Sequence, residues 1–173
     1  MSVTHLPDNY VGDAVLAEIE EEIHAHHPDH TELGSDRVWA VFNLTDRDYD
    51  APFHVAARIH SLTRILTRTL EQHGFSGAEA SIGLAYGGGT RIAVGTDEVT
   101  FTGPVVEEAR RLADFGGRNT GLDSGSSVRV SRSLNQMLSP RNRALLQYRP
   151  PFGMFHGNPV NHAMEAWLSV HMP

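Results

Sequence analysis

The chain has 173 residues, of which 40% are hydrophobic and 20% charged; it contains no cysteine, and its formal net charge is −7. This length suits one domain with a core of its own, and the missing cysteines exclude disulfides, thiolate catalysis and cysteine-ligated zinc. The acidic balance argues against a broad surface for nucleic acid or anionic lipid, the first residues (MSVTHLPDNYVGDAV) lack the pattern of a secretory signal, and no apolar run approaches the roughly 20 residues of a membrane span, so a cytoplasmic chain with neither nucleic acid nor membrane as partner is expected.

Residues 13–25 set Val15, Leu16, Ile19 and Ile23 on one stripe and Glu18, Glu20, Glu21 and Glu22 on the other, the pattern of an amphipathic helix. Gly12 and Asp13 start it, and Pro28 stops the chain after a His-rich turn. A short run at 31–33, a Gly34-Ser35 turn and the run Val38-Trp39-Ala40-Val41-Phe42 predict a hairpin whose second strand is buried on both faces. After an Asp-rich loop at 43–50, the longest helix is expected over 51–73. Val55, Ile59, Leu62, Leu66 and Leu70 form its apolar stripe, Pro52 suits its first turn and Gly74 its C-cap.

Residues 80–86 predict a strand that ends in Gly87-Gly88-Gly89, and two further strands at 91–94 and 99–102 flank a turn at 95–98. A helix over 105–115 carries Val106, Ala109, Leu112 and Ala113 on one face. A polar loop follows at 116–127, then a strand at 128–130, short helices at 134–138 and 141–146, and an aromatic tail at 148–170 expected to carry the final strands. No repeat or linker divides the chain, so residues 1–173 are expected to form one domain of the α/β (α+β) class.

Three stretches, in order, resemble the class III adenylyl/guanylyl cyclase homology domain. Gly34-Ser35-Asp36-Arg37-Val38-Trp39-Ala40-Val41-Phe42 resembles the family's hairpin, in which a Gly-Asp pair leads into an apolar strand ending in Phe. Ser81-Ile82-Gly83-Leu84-Ala85-Tyr86-Gly87 stands where the family has a strand like IGIHTG. Thr102-Gly103-Pro104-Val105-Val106-Glu107-Glu108-Ala109-Arg110-Arg111-Leu112 resembles the signature vGpaVNrAaRL. Val128-Arg129-Val130-Ser131 matches the strand that follows, and residues 152–157 the late F.LKG segment. The match spans residues 13–170 and implies a ferredoxin-like βαββαβ core with an extra terminal hairpin and an active site formed between two domains. Only about a dozen residues precede the first helix, so the first strand is expected to be missing or reduced, with residues 3–6 as its remnant. A homodimer follows as the expected assembly.

The resemblance assigns roles to six positions. Two aspartates of the family hold the divalent ions; Asp36 falls on the hairpin position, and Asp8 is the candidate for the other, although Pro7 and the short interval to Asp36 depart from the pattern. Mg²⁺ or Mn²⁺ is thereby implied where nucleotide is bound, and no cofactor otherwise; one secure carboxylate is poor provision for two hard cations. In the family an Asn orients the ribose and an Arg four residues on stabilises the transferring phosphate. Here Glu107 replaces the Asn and Arg111 keeps the Arg position, free either to bind phosphate or to pair with Glu107 or Glu108 along the helix. Glu32 and Thr100 stand at the two purine-selecting positions, and a Glu at the first is more like guanylyl than adenylyl cyclases.

These departures point to a degenerate cyclase-like domain acting as a regulatory, nucleotide-sensing or dimerisation module, with a purine nucleotide or a protein as partner. An active GTP or ATP cyclase with an unusual metal site, and an unrelated α/β binding protein, are the alternatives. Rival features are weaker. His24, His26, His27 and His30 with Asp29 could gather a transition metal, but helical spacing sets His26 off the face of His24 and His27. Gly87-Gly88-Gly89 is followed by neither Gly-Lys-Ser/Thr nor a helix, and Ser131 and Ser133 have no nearby triad pattern.

Overall fold

A computed structural model describes residues 1–5, 10–43, 48–94, 98–117 and 127–172. In chain order the elements are β1 (Ser2–His5), α1 (Tyr10–His24), β2 (His30–Leu33), β3 (Arg37–Val41), α2 (Ala51–Gln72), β4 (Ala80–Leu84), β5 (Thr90–Val94), β6 (Glu98–Thr102) and α3 (Pro104–Gly117). They continue with β7 (Val128–Ser131), α4 (Arg132–Met137), α5 (Pro140–Arg143), β8 (Gln147–Arg149), β9 (Met154–Gly157) and α6 (His162–His171). The apolar stripes that predict α1, α2 and α3 all face inward, and Gly74 ends α2 with a φ of +80°, a conformation that suits glycine.

The seven-stranded sheet runs β2-β3-β1-β4-β7-β9-β8. Its first four strands and the two helices between them, β1α1β2β3α2β4, make a ferredoxin-like core, with β1 antiparallel to both β3 and β4. The first strand is therefore reduced to four residues but present, and it fills the middle of the sheet: Val3 lies opposite Val38 on one side and Ile82 on the other. β7 adds parallel to β4, and the β8–β9 hairpin closes that end of the sheet. Among the described residues β5 and β6 pair with each other as a separate ribbon.

Alternation along the strands sorts the two faces of the sheet. Val3, Val38, Ala40, Ile82, Leu84, Val128 and Val130 form one apolar core with residues of α1 and α2, among them Ile19, Ile23, Phe53 and Ile59. The opposite face carries Ser2, Trp39, Ser81, Gly83 and Arg129, and α3 lies across it. The α3 backbone comes so close that a Cβ on Gly83 would stand 2.1 Å from the Ala109 carbonyl oxygen. The Ser81 hydroxyl donates to the Ala113 carbonyl at 2.6 Å and accepts from Arg129 Nη1 at 2.8 Å.

The tail differs from the sequence reading. It carries the final strands β8 and β9 as expected, but after β9 it forms the helix α6, capped by Asn161, whose side chain accepts from the Met164 N–H. Polar contacts tie it to α2: the Ser61 hydroxyl donates to Glu165 at 2.9 Å and accepts from the Asn161 N–H at 2.9 Å, and Arg64 pairs with Glu165. Ala163, Met164, Glu165, Ala166 and Leu168 are good helix formers, so local propensity and docking against α2 agree.

Candidate functional site

Asp36 sits in the bend that enters β3, and both of its carboxylate oxygens are taken. Arg37 donates to them through Nε at 3.0 Å and Nη2 at 3.1 Å, and its Nη1 reaches Asp114 of α3 at 3.2 Å. Two consecutive residues can meet in this way because Asp36 precedes the strand, so the alternation that would send them to opposite faces has not begun. The hydrogen bond from Arg37 holds the Asp36 carboxyl below the usual range, and the same bond raises the Arg37 guanidinium. Asp36 is thus a committed anion whose partner is a fixed cation on its own chain.

Arg111 is held in the same manner. Its Nε and Nη2 each donate to a carboxylate oxygen of Glu108 at 2.8 Å, one turn back along α3. This pair holds the Glu108 carboxyl low and raises the Arg111 guanidinium. Glu107 is largely exposed, and among the described residues its ionic neighbour is Arg110, at 4.0 Å. Thr100 of β6 donates its hydroxyl to Glu32 of β2 at 3.4 Å, and His30 Nε2 lies 3.9 Å from the same carboxylate. The fold therefore brings Glu32 and Thr100 together and sets Asp36 with Arg37 and Asp114, while Asp8 lies outside the described residues.

Among the described residues, Asp36 is the one candidate ligand for a hard divalent cation that the structure places, and Asp8 lies outside them. Such an ion needs several oxygen ligands, and at Asp36 it would compete with a guanidinium that donates to both carboxylate oxygens. Among the described residues no group of three His, Cys, Asp or Glu side chains is placed to hold a metal ion. The histidine cluster behaves likewise: His24 and His26 lean on Glu20 and Glu22 of their own helix, and His30 packs its ring against Trp39 and Phe101.

Arg37 and Asp114 are the residues that sequence reasoning missed. The adjacency of Asp36 and Arg37 was visible, but their joint contact with a residue 77 positions away depends on α3 crossing the sheet.

No protein-family model matches the chain, and no curated protein matches it in sequence. Solved structures do match. A bacterial light-regulated adenylyl cyclase superposes with a TM-score of 0.64 at 16% identity, over 99% of this chain and 56% of that one. The fold is that of the class III nucleotide cyclase domain. A guanylyl cyclase gives a TM-score of 0.68 at 12% identity over 93% of this chain and 92% of its own, and the adenylyl cyclase CyaB from P. aeruginosa gives 0.64 at 13% over 90% and 91%. The cyclase-like domain thus spans little more than half of the light-regulated protein and nearly all of the other two. Among its described residues no helix is long and apolar enough to cross a membrane.

Proposed function

We propose that this cyclase-like domain does not cyclise nucleotides and serves as a regulatory module, dimerising with a second copy and sensing a purine nucleotide or engaging a protein. The observation that carries this reading is the bidentate grip of Arg37 on Asp36. In-line attack on a triphosphate requires metal ions that stabilise charge on both the entering and the leaving oxygen. To bind at Asp36, a divalent ion would have to displace a charge-assisted two-point contact and then sit beside the displaced guanidinium.

The helix that would handle the phosphates supports the same reading. Glu107 brings a negative charge to a position where a neutral amide would orient the ribose, and Arg111 is committed to Glu108. Glu32 and Thr100 retain a carboxylate and a hydroxyl within reach of each other. Such a pair can accept from the N1–H and amino group of guanine, so GTP is the nucleotide this module would sense.

The test is calorimetry with GTP and ATP, each with Mg²⁺ or Mn²⁺, followed by assay of the same samples for cyclic nucleotide. No cyclic product is expected from either. Binding of GTP in preference to ATP, lost in Glu32→Lys, would identify a sensor; no binding would leave dimerisation and protein contact as the module's work. Turnover that disappears in Asp36→Ala would overturn the reading.

A further inference from the structure

A cavity of about 740 Å³ lies on the α3 side of the sheet, between the end of β3, the loop after β4, the β5–β6 ribbon and the start of α3. None of Glu32, Asp36, Thr100, Glu107 or Arg111 lines it. Its volume falls within the range of small-molecule sites, roughly 300–1,000 Å³. Its walls are aromatic to an unusual degree for a chain with 8% aromatic residues: Trp39, Phe42, Tyr49, Tyr86 and Phe101 all contribute.

The charge at this cavity runs against that of the whole chain. Arg91 from the ribbon and Arg110 from α3 both line it. Arg110 lies over the Trp39 ring at 5.9 Å, its Nε is buried without a hydrogen-bond partner among the described residues, and its nearest carboxylate, Glu107, is 4.0 Å away. Arg91 is exposed, and its guanidinium has no ion pair or hydrogen bond among the described residues. The one acidic residue in the lining, Asp29, accepts the Asn43 N–H. Apolar walls that carry two guanidiniums and one carboxylate, Asp29, select for an apolar body that carries one negative charge.

We infer that the cavity is a binding site for an aromatic or aliphatic monocarboxylate. The apolar body would lie against the surfaces that Trp39, Tyr86 and Phe101 turn to the cavity, while the carboxylate meets Arg110 and Arg91 in charge-assisted hydrogen bonds. Val99 and Phe101 of β6 line the cavity, and Thr100 between them contacts Glu32, so an occupant touches the strand that carries the Thr100–Glu32 pair. The inference rests on the cavity alone and stands whether or not the domain binds nucleotide.

The test titrates the full chain with naphthoate and with naphthamide, its uncharged counterpart, by calorimetry and tryptophan fluorescence. Naphthoate is expected to bind once per chain and about tenfold more tightly than naphthamide, the scale of one charge-assisted contact. Replacing both arginines (Arg91→Gln with Arg110→Gln) is expected to bring naphthoate down to the affinity of naphthamide and leave naphthamide unchanged. Val99→Trp, which fills the cavity from the ribbon side, is expected to block both; should that variant not fold, the glutamine pair alone decides. Equal affinity for the two probes, indifference to the glutamine pair, or no saturable binding would overturn the proposal. So would naphthoate binding that weakens as the chain dimerises with rising concentration, because a second copy would then be the occupant.

Discussion

The two faces of the sheet solve the problem of burial in different ways. Toward α1 and α2, the strands present Val3, Val38, Ala40, Ile82, Leu84, Val128 and Val130, and stability comes from apolar area and close packing. Toward α3, the same strands present Ser2, Trp39, Ser81, Gly83 and Arg129, all well buried apart from Gly83's missing side chain, and contact depends on backbone approach and specific hydrogen bonds. The apolar face tolerates changes that keep volume. The α3 face is set by individual atoms, and the site residues and the cavity both lie at its borders.

The contrast predicts different responses to substitution. Phe53→Ala, at the start of α2 and 1% exposed in the apolar core, should cost the most, about 3–5 kcal/mol in urea unfolding, by lost transfer energy and a residual cavity. On the other face the expected damage comes from adding an atom. Gly83→Ala puts a Cβ 2.1 Å from the Ala109 oxygen and 2.6 Å from the Ala113 nitrogen, both backbone atoms that cannot rotate away. α3 must lift off the strand, at a cost of about 2–3 kcal/mol typical of overpacking. Gly88→Ala is the control, because nothing lies within 4 Å of its Cβ and its effect should stay within about 0.5 kcal/mol. Equal effects at Gly83 and Gly88 would show that α3 does not press on β4.

The apolar face was also the legible one. Stripes at helical spacing predict α1 and α2, because a helix with one buried side writes its period into the sequence; the stripe of α3 was legible as well, but the polar contacts that seat it on the sheet were not. Gly74 at +80° confirms a stop that chemistry alone suggests. The ferredoxin-like core was legible only through the motif resemblance: β1 is four residues long, presents a serine to the α3 face, and owes its central place to pairing with β3 and β4 rather than to any pattern of its own. The tail helix α6 was missed for a related reason, since polar ties from Ser61 and Arg64 hold it and leave Trp167 and Val170 exposed. At the candidate site, the residue types at Asp36 and Arg111 were visible, and helical spacing already offered Glu108 as a partner for Arg111, but the grip of Arg37 on Asp36 was not legible. Arg37 reaches Asp114 only once α3 has crossed the sheet.

Two neighbouring residues on β4 sharpen the comparison to its smallest scale. Ile82 faces the apolar core and Ser81 faces α3, and one heavy atom can be removed from each. Ile82→Val deletes a methyl group from a close-packed interior and should cost about 0.5–1.5 kcal/mol. Ser81→Ala deletes an oxygen that donates to Ala113 and accepts from Arg129, a residue only 1% exposed. The Ala113 carbonyl then loses a partner, and a buried guanidinium loses one of its acceptors. Neither group can recover water, so the expected cost is about 1–3 kcal/mol, toward the upper end because one of them is charged. Urea unfolding of the two variants, with unchanged slope, decides the matter. A greater loss from Ser81→Ala means that polar contacts hold α3 on the sheet; a greater loss from Ile82→Val means that apolar packing governs both faces, and that α3 is held by Leu112 and Ala113 instead.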